Sequence, residues 1–266
     1  MEKNSFSRIT IRSRFPRNHF EQKAREYHLP LCGIDEVGRG PLAGPLVAAA
    51  VILKPRARYP GTLTDSKLLT PLQREVMFDW LQENSWYAVA SVSARKIDEI
   101  SLGTANIQAM QQALALLTIR HNITPACILV DALGFEVPWL QSFSLPESTQ
   151  GTSPEDHLEY PWHKIISFYK GEIKSCSIAA ASIIAKVTRD RLMKQMGIFY
   201  PNYLFDEHKG YATQTHYQQL TTHAPSIIHR KSFLKSYQDR VLQLSFGESQ
   251  LDDHLPADFS EDIDTL

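Results

Sequence analysis

Residues 31–53 read LCGIDEVGRGPLAGPLVAAAVIL. Two short apolar runs flank a stretch punctuated by Gly38, Gly40, Pro41, Gly44 and Pro45. Short apolar runs separated by glycine and proline mark strand, turn, strand. Adjacent acids, Asp35 and Glu36, sit inside the first run. Alternation along a strand sends neighbouring side chains to opposite faces, unless the strand ends or bulges between them. A carboxylate among apolar neighbours is costly to bury without compensation, and a divalent cation is one form of compensation.

Outward from this hairpin, strands and helices alternate. Thr70 or Ser66 is placed to cap a helix over 71–83, and SWYAVASVS at 85–93 alternates as a third strand. Residues 104–121 put Ile107, Met110, Ala113, Leu114 and Leu117 on one helical face. TPACILVDA at 124–132 is a short apolar strand that closes on Asp131. Residues 175–195 form a further helix, small and apolar at first and then basic. This alternation predicts an α/β protein. Residues 1–29 read as a basic extension with room for a short helix. The stretch 138–162, rich in Ser, Pro, Thr and Glu, reads as a surface loop insertion. Residues 241–266, acidic and poor in aromatics, read as a disordered tail. The domain expected is therefore 30–240.

The chain has 266 residues, 43% of them hydrophobic and 21% charged. That is enough apolar material for a core, and it excludes a wholly disordered chain. The longest nearly uncharged apolar run, 41–53, has 13 residues and two prolines. It falls short of the ~20 needed to span a membrane. No apolar signal-peptide core follows the N-terminus. Cys32, Cys127 and Cys176 are odd in number and unclustered. They read as buried thiols in a reducing compartment, not as a disulfide set or a zinc site. A cytoplasmic monomer without membrane contact is the expectation.

The net charge of −1 conceals a division. Residues 161–240 carry twelve Lys/Arg against five acids, and residues 241–266 carry none against seven. A basic segment of this kind can face a polyanion, although charge alone fits a solvated surface better.

Four acids stand out. Asp35 and Glu36 lie inside an apolar run and Asp131 closes another, at the kind of carboxyl end where open α/β sheets place their sites. Glu172 lies between Lys170 and Lys174, just before the small-residue helix. Each acid alone reads as a cap or an ion pair. Four together, from three segments, can converge on two Mg²⁺ or Mn²⁺ ions, the arrangement that activates water in phosphodiester cleavage.

GIDEVGRGPLAGPLVAAAV at 33–51 resembles the signature of ribonuclease HII, the type 2 ribonuclease H. DSKLL at 65–69, ILVDA at 128–132, KGE at 170–172, SIAAASIIAKVTRDR at 177–191, HKGYAT at 208–213 and HRKSF at 229–233 follow in the family's order. The resemblance covers residues 30–240 and its motifs are specific. The GRG triplet resembles type HII; the related ribonucleases HIII usually show GKG and a larger N-terminal domain.

The resemblance implies an RNase H-like fold: a mixed central sheet flanked by helices, with a helical C-terminal part. It implies a catalytic, metal-binding quartet of Asp35, Glu36, Asp131 and Glu172 holding two Mn²⁺ or Mg²⁺ ions. It implies an endonuclease that cuts the RNA strand of RNA–DNA hybrids. Such an enzyme also cuts DNA duplexes 5′ to an embedded ribonucleotide, leaving a 3′-hydroxyl and a 5′-phosphomonoester. Gly38, Arg39 and Gly40 would sense the ribose, since glycines admit a close backbone approach and the 2′-hydroxyl distinguishes RNA. Tyr211 would pack on the deoxyribose beyond it. Lys67 would meet a phosphate, and Lys186 and Arg189, three apart on one helix, would track the backbone. Ser182 and Thr188 would touch phosphates as well.

Three departures from the family pattern stand in this chain. The family usually has KGD where this chain has KGE, so Glu172 carries its charge one methylene farther out. Asp131 and Glu172 are 41 residues apart, more than in many relatives, and the insertion accounts for it. VDA replaces the common VDG. The substituted fourth acid leaves open a catalytically weakened protein that binds RNA–DNA hybrids. A nuclease of the same fold acting on damaged DNA or junctions is a second alternative, disfavoured by GRG and Tyr211.

Overall fold

The computed structural model describes residues 9–11, 16–55, 57, 63, 65–131, 165–168 and 171–234. The insertion expected at 138–162 and the tail expected at 241–266 lie outside the described residues, as do 1–8 and 12–15. The described residues within Met1–Val37, Val47–Ser91 and Asn106–Arg189 form one compact unit. Those within Gly38–Leu46, Val92–Ala105 and Asp190–Leu266 form a second.

The sheet contains β1 (Ile9–Ile11), β2 (Leu31–Val37), β3 (Leu46–Leu53), β4 (Ser85–Val92), β5 (Cys127–Asp131) and β6 (Ile165–Phe168). Their order is β1-β6-β5-β2-β3-β4. β1, β6, β5 and β2 run parallel to one another, and β3 runs antiparallel to β2. The sheet is mixed, as expected. β3 is buried at every position, the mark of a strand covered on both faces. β6 carries no legible signal in the sequence, because four residues give too short a pattern.

The helices of the first unit obey local rules. Pro71 opens α2 (Pro71–Asn84), and Thr70 and Gln73 exchange side-chain and backbone bonds as a capping box. In α4 (Leu102–His121), Met110, Ala113, Leu114 and Leu117 are fully buried, in agreement with their spacing. Before it lies the short α3 (Ala94–Ile100), which begins at Ser93 and belongs to the second unit. α1 (His19–Glu26) buries Phe20 and Ala24 with Leu31, Cys127, Leu129, Ile166 and Ile178. The segment that reads as an extension thus contributes apolar side chains to the core.

α6 (Cys176–Phe199), preceded by the single-turn α5 (Gly171–Lys174), lies against β2 at Gly33. A Cβ at Gly33 would stand 2.1 Å from the Ser177 carbonyl carbon, so only glycine lets the two backbones meet. The Ala-rich first turns of α6 are small for the same reason: Ala179, Ala180 and Ala181 are all fully buried.

The second unit has its own core of Leu42, Ala43, Met193, Tyr203, Phe205, Leu220 and Leu234. Its elements include α7 (Phe205–His208) and α8 (Gln214–His223). The segment at 42–44 is held by backbone bonds from two sides. Leu42 donates to Gly210 O at 2.9 Å, Gly44 donates to Ile228 O at 2.9 Å, and Arg230 donates to Leu42 O at 2.8 Å. All three cysteines are free and buried, in line with the sequence reading. Among the described residues, no helix is long and apolar enough to cross a membrane.

Candidate active site

The register of the parallel pair β2–β5 ends at Ile34↔Val130. The next residue on each strand is therefore an acid, Asp35 beside Asp131, at the carboxyl ends of neighbouring central strands. β2 stays in register with β3 through Asp35↔Ala49, Glu36↔Ala48 and Val37↔Val47. The strand neither ends nor bulges between Asp35 and Glu36. Gly171 donates its N–H to Asp131 Oδ1 at 2.7 Å, which brings α5 and Glu172 to the same strand end. A Cβ at Gly171 would lie 3.3 Å from both Cα and Oδ1 of Asp131 and 2.7 Å from Ile178 Cδ1.

These carboxylates raise one another. Burial pushes Asp35 well above the ordinary carboxylate range, and the charges of Glu36 and Asp131 push it further. A hydrogen bond from Ser182 and the Glu36 N–H, 2.8 Å from Asp35 Oδ1, opposes the shift. Asp131 is raised by burial and by Glu36, against the Gly171 N–H, Glu172 and Lys67. Glu172 is pushed up to about 7 by burial, by the charge of Asp131, and by a hydrogen bond in which Glu172 keeps the proton.

Lys67 stands among these acids. Burial lowers its ammonium, but Asp65, Glu172, Asp35 and Asp131 outweigh that and raise it. Its N–H is held by the Asp65 carboxylate at 2.9 Å. Ser182, expected at a phosphate, bonds the Asp35 carboxylate, and its Oγ lies 2.8 Å from Ser66 Oγ. Arg74 fixes Ser66 in turn, donating to its carbonyl at 2.8 Å. Lys186 is half-buried and Arg189 is 0% exposed. The i, i+3 pair therefore does not form the exposed basic stripe its spacing suggests, because residues 176–190 of α6 are all buried or half-buried.

Oxygen donors alone, with no thiolate or imidazole among them, suit a hard divalent cation. Glu172 Oε2 is buried and has no hydrogen-bond partner among the described residues, as a carboxylate oxygen reserved for a cation would be. The acids are electrostatic neighbours, not a closed shell: among the described residues no three His, Cys, Asp or Glu side chains are gathered to hold an ion. The donor chemistry fits the implied metal. Closure around it would require the side chains to move.

In the second unit, Gly38 adopts φ 89°, open to glycine and strained for other residues. Arg230, 0% exposed, donates to Gly38 O at 2.5 Å, Arg39 O at 2.7 Å, and Gly44 O at 3.2 and 3.0 Å. One guanidinium thus gathers two carbonyls of the GRG triplet and that of Gly44. HRKSF is legible as a motif, but nothing in it reveals this partner. Gly40 is exposed, with open space where a Cβ would sit.

Tyr211, 37% exposed, is held at its backbone. Its N–H donates to His208 O at 3.0 Å, and its carbonyl lies 2.9 Å from His216 Nδ1. His229 Nδ1 accepts from the Ser226 N–H at 2.9 Å, so its Nε2–H points at His216 Nε2, 3.0 Å away. His216 then donates from Nδ1 to Tyr211. The imidazoles are a neutral relay with a fixed proton order and form no metal pair.

The family model for ribonuclease HII matches residues 32–236. Ribonuclease HII of Caldicellulosiruptor saccharolyticus is 41% identical over 223 residues, covering 82% of this chain and 95% of that protein. The Rhizobium etli ribonuclease HII is 38% identical over 242 residues, 91% of each chain. Among solved structures, ribonuclease H2 from Pyrococcus horikoshii has TM-score 0.57 and 25% identity, covering 81% of this chain and all of that one. The mixed sheet with its flanking helices is thus the RNase H-like fold. With acids at its paired strand ends and this extent of shared sequence, the chain belongs to the ribonuclease HII family and is a ribonuclease H, an endonuclease of the hydrolase class.

Proposed function

We propose that the chain hydrolyses the RNA strand of RNA–DNA hybrids and cuts DNA duplexes 5′ to an embedded ribonucleotide, with residues 30–240 as its catalytic region. The observation that carries this reading is the group Asp35, Glu36, Asp131 and Glu172. It is a set of mutually repelling carboxylates at paired strand ends, where only cations or protons relieve the repulsion. These four would hold two Mg²⁺ or Mn²⁺ ions. Such ions, when bound, acidify the attacking water and steady the departing 3′ oxygen.

The chain's own groups do the rest. Ser182 orients the Asp35 carboxylate, and Gly171 orients that of Asp131. Lys67, kept charged by its acidic neighbours, offers an ammonium to a phosphate oxygen. Water attacks phosphorus, the bond from phosphorus to the 3′ oxygen breaks, and a 3′-hydroxyl and a 5′-phosphate result. The GRG turn Gly38, Arg39 and Gly40, pinned from behind by Arg230, reads the ribose, and Tyr211 packs on the adjoining deoxyribose. Lys186 supports the phosphate backbone. Arg189, buried, is left out of this role.

The test uses DNA duplexes carrying one labelled ribonucleotide, with wild type, Asp131→Asn and Glu172→Asp, in Mg²⁺ and in Mn²⁺. Cleavage 5′ to the ribonucleotide by wild type, lost in Asp131→Asn, is expected. The ratio of Mg²⁺ to Mn²⁺ activity in Glu172→Asp shows whether glutamate is a handicap or an adapted ligand. Tight binding without cleavage in either metal would favour the weakened hybrid-binding protein instead.

A further inference from the structure

We propose that Asn18 and Glu21 of α1 and its N-cap, a segment that precedes the residues matched by the family model, are positioning residues for Glu172. The inference rests on Glu172 being a metal ligand.

Glu172 sits in a single helical turn, too short to hold its own place. Immediately beyond that turn lies the junction between α5 and α6, residues 174–177. Asn18, in the left-handed region at φ 61°, grips that junction from both sides. Its N–H donates to Lys174 O at 2.8 Å, and its Oδ1 accepts the Cys176 N–H at 2.9 Å. Glu21 takes two further donors. Its Oε1 accepts from Ser175 Oγ at 2.5 Å and from the Ser177 N–H at 3.1 Å. Ser175 Oγ in turn accepts the Ile178 N–H at 3.1 Å, and the Ser175 N–H donates to Gly171 O at 2.8 Å.

Every backbone N–H from 175 to 178 is therefore committed, and two residues more than 150 positions upstream accept three hydrogen bonds from this junction. Glu21 also sets a buried negative charge on the first turn of α6, where the helix dipole favours it. On the other side, Gly171 is fastened to Asp131 Oδ1. The turn bearing Glu172 is thus suspended between β5 and α1. Glutamate carries its carboxylate one methylene farther out than aspartate. The distance between its backbone and Asp131 decides whether that longer arm meets the same cation, and α1 sets that distance from behind. Partners outside the ligand shell commonly tune metal affinity in this way.

The test measures Mn²⁺ binding to the full chain, without nucleic acid, by calorimetric titration and by the Mn²⁺-induced rise in Tm. Asn18→Gly keeps the backbone conformation and loses the Oδ1 bond; Glu21→Ala loses both of its bonds. Each is expected to weaken Mn²⁺ binding about tenfold, the lower end of what loss of an outer partner costs. Glu21→Gln, which keeps an acceptor oxygen, should recover most of the affinity. Ala24→Gly destabilises the same helix without touching residues 174–177, and should lower Tm while leaving Mn²⁺ affinity at the wild-type value. If Asn18→Gly and Glu21→Ala lower Tm alone, as Ala24→Gly does, α1 is a packing element only and the proposal fails. Glu172→Gln separates this failure from that of the underlying reading. Unchanged Mn²⁺ affinity in Glu172→Gln would remove Glu172 from the ligand set, and the inference with it. Weakened affinity there, with wild-type affinity in the α1 variants, would overturn the inference alone.

Discussion

A buried guanidinium is tolerated only where its donors are met, and Arg230 meets them with backbone oxygens of residues 38, 39 and 44. Its fork reaches Gly38, Arg39 and Gly44 together, while the ring of Phe233 lies 5.2 Å from its central carbon. Lysine would retain the charge and lose the fork. Arg230→Lys is therefore expected to cost about 1.5–3 kcal/mol, the range for hydrogen bonds to charged groups. Urea unfolding measures this, and an unchanged midpoint would mean the three carbonyls do as well with water. Ser182 obeys the same logic. A serine on a helix beside basic residues looks like a phosphate contact, yet this one donates its hydrogen bond to Asp35.

At the scale of elements, the seam between β2 and α6 organises the site. Gly33 and Asp35 share a face of β2, since they are two residues apart. The helix that presses its backbone onto Gly33 is the one that supplies Ser182 to Asp35. Small residues on α6 are the condition for that approach. Ala180→Leu, at a fully buried position, should overpack the seam and cost ~1–3 kcal/mol. Thermal unfolding reads this directly, and a Tm equal to wild type would show slack that the burial of Ala179–Ala181 does not suggest.

For the whole molecule, two sets of groups pull stability in opposite directions with pH. Burial lowers His208, and it lowers His216 and His229 to about 4. The contribution of His216 and His229 is complete above the ordinary imidazole value of 6.5 and is lost as pH falls through about 4. A proton on His216 would also set two N–H groups face to face across the bond to His229. Glu172 is raised to about 7, so its contribution is complete below the ordinary value of 4.5 and is lost as pH rises through about 7. A bound cation would replace that proton. The Mn²⁺-induced gain in Tm is accordingly expected to grow as pH rises through about 7, in a thermal melt series with and without Mn²⁺. A gain independent of pH would show that Glu172 releases no proton to the metal.

The local signals in the chain are enough for much of this. Apolar runs broken by Gly and Pro mark β2 and β3, Thr70 marks the start of α2, and the position of Asp131 at the close of CILV places it at a strand end. Those features depend on neighbours within a few residues, so periodicity and capping chemistry reveal them. Asp35, Glu36 and Asp131 are likewise recognisable, because carboxylates in apolar surroundings contradict their local context, whereas Glu172, between Lys170 and Lys174, stands out only through the family motif. Only the tertiary structure decides which distant group each polar side chain serves. Arg189, expected along a phosphate backbone, is buried; Arg230, present in the sequence only as part of HRKSF, clasps a turn far away along the chain. Asn18 and Glu21, in a stretch whose composition suggests an extension, brace the helix of a proposed metal ligand. A hydrogen bond across more than 150 residues leaves no period in the sequence, since its partner is chosen by the path of the backbone and not by the spacing of residues along it.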